Sequence, residues 1–396
     1  MYGGRVAEAR RGKKLGVIEL RYTPTAIAEY GLNVPLLSCS LRTDDRWIDA
    51  TAFISGLLPE GRARDEMARR ANVAASDIHG LLARFGRDAV GALSVVPAGE
   101  SATDGGGAEE YTDESLATAI EELGANPLGL HDDSQLSLPG MQEKLLLIKT
   151  KTGWARPIRG QPSTHILKRD HAVYQGLVAL EAECLRLAHR VDLTSIDPVV
   201  VAGDPRDYLI VDRYDRQVDD RGNVVRIHQE DLCQAMGIHT FSNDKAKDEA
   251  TGGPRLADLA SLLATYARDP DPELDRLMRA VVFTVAIGNA DAHGKNMSLV
   301  HQPDGSVALA PLYDTVPTLM WPKLKTTPGM FVGGCRDIRN VTRSHLIAEA
   351  TTWGVSEPTA TACIADTASR LHDAVSELQT PSVLADLVRL QLDKLN

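Results

Sequence analysis

The first hundred residues alternate short apolar runs with one polar, helix-favouring segment. Apolar runs without helical spacing predict strands in residues 15–20, 35–40 and 89–96. Residues 61–72 are rich in Arg, Ala and Glu, a composition that favours a helix. We therefore interpret residues 1–98 as a small α+β subdomain.

A polar stretch then interrupts the apolar pattern. Residues 98–115 are rich in Gly, Ser, Thr and acidic residues, and positions 105–107 are all glycine. Such a composition cannot bury much apolar surface. We therefore interpret residues 99–130 as a linker region and place the first domain boundary there.

Strand patterns return after this stretch. Residues 145–149, 165–168 and 209–212 are short apolar runs that predict buried strands. Residues 173–189 carry their apolar residues on one helical face. Residues 131–225 are thus predicted to form a β-rich lobe.

Helical spacing dominates residues 226–396, and the whole chain therefore reads as α+β. Gly288 follows one predicted helix and is suited to a left-handed C-terminal cap. The amphipathic helical stretches are residues 256–267, 274–287, 343–378 and 382–395.

Composition narrows the functional classes. The net charge of −11 argues against a surface that grips nucleic acid unaided. The five cysteines form no CxxC pair, which is typical of reduced thiols in the cytosol. No apolar run approaches the roughly 20 residues of a membrane span, and the N-terminus lacks the apolar region of a signal peptide. We expect a soluble, cytoplasmic protein without a membrane partner.

The loop at residues 288–296, Gly-Asn-Ala-Asp-Ala-His-Gly-Lys-Asn, carries residues suited to chemistry. Asp291 precedes Asn296 by five positions, and Asp314 follows a hairpin that residues 297–300 and 307–310 predict. Phosphoryl transfer needs a carboxylate that accepts the proton of the attacking hydroxyl and hard oxygen ligands for Mg²⁺. The alternative is a polar loop whose carboxylates cap helices. Asp314 and a lysine upstream favour the kinase interpretation.

Two other residues of the loop allow more than one role. His293 could ligate a metal, but no third His or Cys lies at zinc-ligand spacing, so we expect it to orient the loop through hydrogen bonds. Lys295 either reaches the transferring phosphate or forms a salt bridge with Asp291.

A candidate phosphate-binding lysine lies upstream. A strand lysine can clamp ATP phosphates when a helix glutamate holds it, and Lys168 lies at the end of a predicted strand. Glu181 is the candidate partner, because helical spacing puts Glu183 on a different face. A strand lysine without such a partner would be an exposed edge residue. Residues 136–144 contain a glycine turn whose N–H groups can cover phosphates, although the GxxxxGK[ST] order is absent.

Taken together, these segments resemble the HipA-type serine/threonine kinases, the toxins of type II HipBA toxin–antitoxin modules. The resemblance spans nearly the whole chain. Its most specific matches are the loop at 288–296 and Leu-Ala-Pro-Leu-Tyr-Asp at 309–314. Further matches lie at residues 57–61, 86–92, 137–144, 164–168, 211–216 and 228–234.

The resemblance implies a protein-kinase-like fold with a small N-terminal α+β subdomain, a β-rich ATP-binding lobe and an all-α C-terminal lobe. It implies ATP and Mg²⁺ as cofactors, Asp291 as catalytic base, and Asn296 and Asp314 as Mg²⁺ ligands. Ser137 matches the serine that the family autophosphorylates, which adds negative charge where the ATP phosphates lie. The residues implied in ATP binding are Ser137, Gly140, Gln142, Lys144, Lys168, Glu181, Asp212 and Tyr214.

The resemblance also implies partners. These are a HipB-like helix-turn-helix antitoxin, DNA only indirectly through that antitoxin, and a protein substrate in translation such as an aminoacyl-tRNA synthetase. Two departures from the family pattern concern nucleotide binding. Asp212 replaces a glutamate in the hinge-like motif, and Pro139 and Met141 replace small residues of the loop at 137–144.

Two other functions stay open on the sequence. A small-molecule kinase would use the same loop, because the choice of acceptor leaves no motif. An interaction protein would act mainly as an antitoxin-bound co-repressor, for which an acidic surface suits a basic partner.

Overall fold

The computed structural model describes every residue except 2–3, 15, 103–105, 141, 204–205, 221, 242–243, 378–382 and 396. Its strands are Ala7–Arg11 (β1), Ile18–Tyr22 (β2), Ile48–Asp49 (β3), Gly107–Glu110 (β4), Lys144–Lys149 (β5), Trp154–Ile158 (β6), His165–Arg169 (β7), Val199–Val201 (β8), Tyr208–Asp212 (β9), Arg216–Val218 (β10), Val224–Arg226 (β11), His228–Asp231 (β12), Ser298–His301 (β13) and Val307–Leu309 (β14). Its α-helices are Pro24–Tyr30 (α1), Thr51–Ser55 (α2), Gly61–Ala71 (α3), Ile78–Phe85 (α4), Asp113–Glu121 (α5), Leu177–Arg190 (α6), Leu232–Ala235 (α7), Leu256–Tyr266 (α8), Pro270–Ala286 (α9), Arg343–Thr352 (α10), Glu357–Ser376 (α11) and Val383–Leu392 (α12). The protein is α+β, as predicted.

The chain divides into two compact units. The first unit comprises Met1–Asp170 with Val199–Glu230, and the second comprises His171–Pro198 with Asp231–Asn396. Residues 1–98 and most of the predicted β-rich lobe therefore belong to one unit. The finer partition into 1–98, 131–225 and 226–396 stays a prediction about subdomains.

A six-stranded antiparallel sheet of order β4-β6-β5-β7-β9-β8 forms the centre of the first unit. The interior of its strand β5, residues 145–148, is apolar because both faces of the strand are covered there. Leu145 and Leu147 pack with Ile120 at the end of α5, whereas Leu146 joins a larger core built from the N-terminal helices and strands. The predicted strands at 145–149, 165–168 and 209–212 are confirmed.

The polar stretch at 98–115 is ordered in its described residues. Gly107–Glu110 pairs with Trp154–Ile158 as an edge strand. Helix α5 follows, capped by Thr112, whose Oγ1 accepts a hydrogen bond from the N–H of Ser115 at 3.1 Å. The interpretation of 99–130 as a linker is therefore corrected. An edge strand satisfies its backbone through the ladder without apolar side chains, so composition does not reveal it.

Two apolar runs that were predicted as strands form loops. At residues 35–40 the side chains are largely buried, but Thr43 closes the segment by donating its N–H to the carbonyl of Val34 at 2.9 Å. At residues 89–96 the backbone forms hydrogen bonds with side chains and not with a neighbouring strand. The N–H of Gly91, whose φ is +71°, donates to Asp215 Oδ2 at 2.7 Å. Both strand predictions are wrong, because an apolar run indicates burial and not its backbone partner.

A buried network of charges holds the loop at 89–96. Arg213 lies 2.8 Å from Asp215, and Arg216 lies 3.0 Å from Asp88 and 3.0 Å from Asp215. All four side chains are at most 5% exposed. Burial alone would raise the pKa of Asp215, but the charges of Arg213 and Arg216 hold that pKa below its usual range. The network therefore depends on every member being present.

Helix α9 is the central helix of the second unit, and α8, α11 and α12 pack against it. It also holds the hairpin β13–β14. Glu273 Oε2 accepts a hydrogen bond from the N–H of Leu309 at 2.7 Å, and Arg276 donates to the carbonyl of Leu309 at 2.7 Å. The predicted helix at 274–287 and the predicted hairpin are confirmed.

Glycines set two helix boundaries that hydrophobic spacing did not locate. Helix α6 begins at Leu177 and not at 173, because Gly176 has a φ of +79°. The helical stretch predicted at 343–378 is divided into α10 and α11 near Gly354, whose φ is +83°. Residues 378 and 382, two predicted helix ends, lie outside the described residues. None of the helices in the described chain is both long and apolar enough to span a membrane.

We expect Arg213→Ala to lower the free energy of unfolding by about 3–5 kcal/mol, because Asp215 would be left buried with less countercharge. Urea denaturation followed by circular dichroism measures the loss. Arg46→Ala is the control, since it removes only an exposed ion pair with Asp44 and should change stability little. Equal stability losses for the two variants would contradict a stabilising network.

Candidate active site

The loop Gly288–Asn296 begins where helix α9 stops. Gly288 has a φ of +67°, and a Cβ atom there would lie 2.8 Å from Leu319 Cδ1. Only glycine therefore combines this left-handed conformation with the close approach of Leu319. The predicted cap is confirmed, and it turns the chain out of the helix into the loop.

Hydrogen bonds inside the loop fix Asp291 relative to Asn296. The N–H of Asp291 donates to Asn289 Oδ1 at 3.0 Å, and the N–H of His293 donates to the carbonyl of Asp291 at 2.8 Å. Asn296 Nδ2 donates to the same carbonyl at 2.9 Å. The interval of five residues thus returns the Asn296 side chain to the backbone of Asp291.

Segments distant in sequence anchor the loop from outside. The N–H of Ala290 donates to Thr318 Oγ1 at 2.8 Å, and the N–H of Gly294 donates to the carbonyl of Lys247 at 3.0 Å. Gly329 donates its N–H to the carbonyl of Ala290 at 2.9 Å. A Cβ atom on Gly329 would lie 2.6 Å from the Cα of His293, so only glycine allows this packing.

The hairpin brings Asp314 to the same loop. Beyond β14, the N–H of Ala310 still donates to the carbonyl of Ser298 at 2.9 Å. The hydroxyl of Tyr313 donates to the carbonyl of Lys295 at 2.8 Å. Asp314 itself has a φ of +49°, and its charge acts on the carboxyl of Asp291. The structure therefore brings Asp291, Asn296 and Asp314 together.

The Asp291 carboxyl is about half exposed, at 53%. Its removal from water raises its pKa above the usual value. The cations Lys325 and Lys247 oppose that rise, whereas Asp248 and Asp314 add to it. Sequence reasoning missed Lys247, Asp248 and Lys325, because single charged residues on distant segments leave no motif.

His293 and Lys295 lie buried within the second unit. Burial and, to a smaller extent, the nearby lysines together lower the pKa of His293 to about 3. The N–H of Lys295 donates to His293 Nδ1 at 3.2 Å, so Nδ1 is an acceptor and the proton resides on Nε2. The Lys295 side chain is 7% exposed, and its ammonium lies 4.0 Å from Asp231 Oδ2. Both contacts support the loop.

The proposed phosphate-binding residues belong to the first unit. Ser137 is fully buried, and its hydroxyl donates to the carbonyl of Leu57 at 2.7 Å. Lys144 Nζ donates to the carbonyl of Pro139 at 2.6 Å, across the turn at Gly140. Lys144 lies directly opposite Lys168 in the pairing of β5 with β7. Met141 lies outside the described residues.

The remaining predicted site residues occupy separate positions. Asp212 ends β9 opposite His165, and the Tyr214 hydroxyl donates to Gln229 Oε1 at 2.8 Å. Gln142 Nε2 is buried without a hydrogen-bond partner among the described residues. Glu181 lies on the buried face of α6 in the second unit, so its pairing with Lys168 stays a prediction.

Two family models match the chain. The HipA-like C-terminal domain matches residues 136–375, and the HipA N-terminal domain matches residues 1–96. The Sinorhizobium fredii protein Y4mE, whose name provisionally assigns it to the kinases, is 35% identical over 289 residues, which are 71% of this chain and 67% of that protein. The serine/threonine-protein kinase toxin HipA of Shewanella oneidensis is 27% identical over 335 residues, which are 82% of this chain and 76% of the toxin.

A solved structure supports the fold. The chain is similar to one in the complex of HipA, HipB and operator DNA from Shewanella oneidensis MR-1, with a TM-score of 0.82 and 24% identity. The match covers 98% of this chain and 94% of the other. The predicted HipA-like fold class is confirmed.

We expect the His293 imidazole to stay neutral between pH 5 and 8, as followed by NMR of histidine-labelled protein. Its folded pKa lies below the unfolded value of about 6.5, so the unfolded state binds a proton that the folded state does not. Stability should therefore fall as the pH drops below about 6.5. His293→Gln identifies the resonance and should reduce this fall. Titration of the folded imidazole near pH 6.5 would contradict its buried, neutral state.

Proposed function

The chain belongs to the HipA family, and from that premise we propose that it is an ATP- and Mg²⁺-dependent serine/threonine protein kinase of the toxin type. The loop Gly288–Asn296 carries the proposal. Asn296 is tied to the carbonyl of Asp291 at 2.9 Å, and the charge of Asp314 acts on the Asp291 carboxyl. Two carboxylates and an amide in one polar site are the groups that phosphoryl transfer uses.

Asp291 acts as the general base in this proposal. Its half-exposed carboxylate can accept a hydrogen bond from an incoming hydroxyl and then take its proton. A pKa above the usual range strengthens the carboxylate as a base. His293 and Lys295 hold the loop in position through the contacts described above.

Asn296 and Asp314 would hold Mg²⁺. The donor set is suitable, because the Nδ2 group of Asn296 is used on Asp291 and the side chain's other polar atom is an oxygen. The carboxylates of Asp291, Asp314 and Asp248 also raise the local negative charge. When bound, Mg²⁺ neutralises the charge that develops between the β- and γ-phosphates.

Lys144 and Lys168 would bind ATP phosphates in the first unit. Directly opposite residues of neighbouring strands lie on the same face, where two like charges are unfavourable unless an anion lies near them. Gly140 has a φ of +104°, and a Cβ atom there would lie 2.7 Å from Lys144 Nζ. The glycine therefore keeps space beside the ammonium. We also assign Gln142, Glu181, Asp212 and Tyr214 to nucleotide binding.

The acceptor is proposed to be a protein serine or threonine of the translation apparatus, such as an aminoacyl-tRNA synthetase. Family membership supports this choice, and the Shewanella relative is named a serine/threonine-protein kinase toxin. Labelled ATP and cell lysate distinguish the acceptor classes. A labelled protein band supports the proposal, whereas label in small molecules alone supports a small-molecule kinase.

Ser137 is proposed as a regulatory autophosphorylation site. Its hydroxyl is buried against Leu57, where a phosphate bearing about −1.5 to −2 charges cannot be accommodated. Phosphorylation therefore requires the segment to leave its position beside Asp88, whose carbonyl accepts the N–H of Ser137 at 2.9 Å. The displaced segment would no longer cover the nucleotide, and activity would fall.

We expect incubation with MgATP to add one phosphoryl group to Ser137, as shown by intact mass and peptide mapping. Asp291→Asn should lower the transfer rate by at least about 100-fold, because no carboxylate then takes the proton. Ser137→Ala should abolish the mass gain yet still label lysate protein. Growth inhibition should also disappear in Asp291→Asn.

Two results would contradict parts of this proposal. Undiminished toxicity of Asp291→Asn would favour a protein that acts mainly as a co-repressor. A mass gain on residues other than Ser137 would remove the regulatory assignment.

We further propose a HipB-like helix-turn-helix antitoxin as partner, with DNA bound only through it. The relative's complex contains HipA, HipB and operator DNA, and the net charge of −11 suits a basic protein better than DNA. We expect co-elution with a co-expressed antitoxin on gel filtration, and a shift of operator DNA only when the antitoxin is present. A shift by this chain alone would contradict the indirect arrangement.

A further inference from the structure

A transferring phosphoryl group is stabilised by a cation, and the lysine of the loop is poorly placed for this task. Lys295 has a side chain that is 7% exposed, and its ammonium lies near Asp231. Asp231 in turn caps α7 by accepting the N–H of Gln234 at 2.8 Å. Lys295 thus contributes to the support of the loop.

Lys325 reaches the reacting side of the same loop from a distant segment. Its Nζ lies 4.0 Å from Asp291 Oδ1, and its side chain is 47% exposed. It is also the cation with the largest effect on the Asp291 carboxyl. The ammonium and the Asp291 carboxylate are therefore adjacent, and both are accessible to solvent.

Asp248 holds Lys325 in place. Its two carboxylate oxygens accept hydrogen bonds from Lys325 Nζ at 3.1 and 3.0 Å. The segment around Asp248 is itself attached to the loop, because the carbonyl of Lys247 accepts the N–H of Gly294 at 3.0 Å. Glu249 donates its N–H to the carbonyl of Gly329 at 2.8 Å. Asp248 is therefore fixed relative to Asp291.

We propose that Lys325 is a catalytic residue that binds an oxygen of the transferring phosphoryl group, with Asp248 as its positioning residue. This inference rests on the proposed kinase function. The acceptor hydroxyl is hydrogen-bonded to Asp291 at about 2.6–3.2 Å when it attacks, so the phosphorus lies next to the base. An ammonium 4.0 Å from that base is within reach of a phosphoryl oxygen on its flexible stem.

The proposed step balances without another reagent. The acceptor oxygen forms a bond to the γ-phosphorus while the bond from that phosphorus to the bridging oxygen breaks. The acceptor proton passes to Asp291, and ADP leaves with the electron pair of the broken bond. The ammonium of Lys325 stabilises the charge on the transferring group.

The test compares Lys325→Ala and Lys325→Gln with the full-length wild type in a steady-state MgATP assay on the labelled acceptor protein or on Ser137. We expect kcat to fall by about 100-fold, while the KM for ATP changes less than about threefold. Lys325→Arg should recover at least about a tenth of wild-type kcat, because it restores the cation. Lys323→Ala, two residues away, is the matched control and should keep wild-type kcat.

A second pair of variants tests the positioning role of Asp248. Asp248→Asn should lower kcat in the wild type but produce no further loss in Lys325→Ala, because both changes act through one ammonium. If the thermal unfolding midpoints of these variants equal that of the Lys323→Ala control, a general loss of structure is excluded. Independent, additive losses would overturn the role of Asp248.

The outcomes separate this inference from the function on which it rests. If the wild type is active and both Lys325→Ala and Lys325→Gln keep its kcat, the role of Lys325 is overturned while the kinase function stands. A fall in kcat that Lys325→Arg does not reverse also overturns it, since charge would not be the cause. Equal inertness of the wild type and Asp291→Asn overturns the kinase function and this inference together.

Discussion

A buried loop without regular secondary structure must find a partner for each of its backbone polar groups, and the second unit is organised around this requirement. Ala290, Ala292 and His293 are at most 9% exposed, yet no ladder passes through them. Ala290 is held by Thr318 and Gly329, and the neighbouring Gly294 donates its N–H to the carbonyl of Lys247. Segments distant in sequence must therefore meet at the loop, and they bring charged side chains with them.

This convergence decides the electrostatics of the candidate site. The carbonyl of Lys247, next to Asp248, binds the loop, and Asp248 in turn pairs with Lys325, which lies beside Asp291. Burial raises the pKa of Asp291 above its usual value, and Lys325, which is shared with Asp248, offsets that rise only in part. The proposed base, the proposed Mg²⁺ ligands and a cation thus lie in one small site without cancelling one another's charge.

The charges of the first unit are arranged differently. Asp88 and Asp215 are enclosed by arginines and have almost no contact with water. Such complete pairing removes them from chemistry but fixes the loop at 89–96 and, through the backbone of Asp88, the segment that contains Ser137. In the proposed regulation, phosphorylation of Ser137 would move this one segment, because the charge network holds the residues that anchor it.

The sequence alone determined the element types wherever local spacing and glycine chemistry decide them. The helix that ends at Gly288, the hairpin after Asn296 and the strand with Lys168 were all predictable from short windows. The order of motifs also indicated the family and the three oxygen-bearing residues of the candidate site, Asp291, Asn296 and Asp314. The predictions for residues 35–40, 89–96 and 99–130 failed. An apolar run indicates burial and a polar run indicates exposure, but neither identifies the groups that bind the backbone.

Only the tertiary structure decided which charges surround Asp291. Lys295 is four residues from Asp291 in sequence but pairs with Asp231, while Lys325 comes from beyond the hairpin to within 4.0 Å. Coulomb interactions depend on distance in space, and a folded chain sets that distance through packing and hydrogen bonds of segments far apart. The residues of the loop could therefore be predicted from the sequence, whereas their electrostatic environment could not.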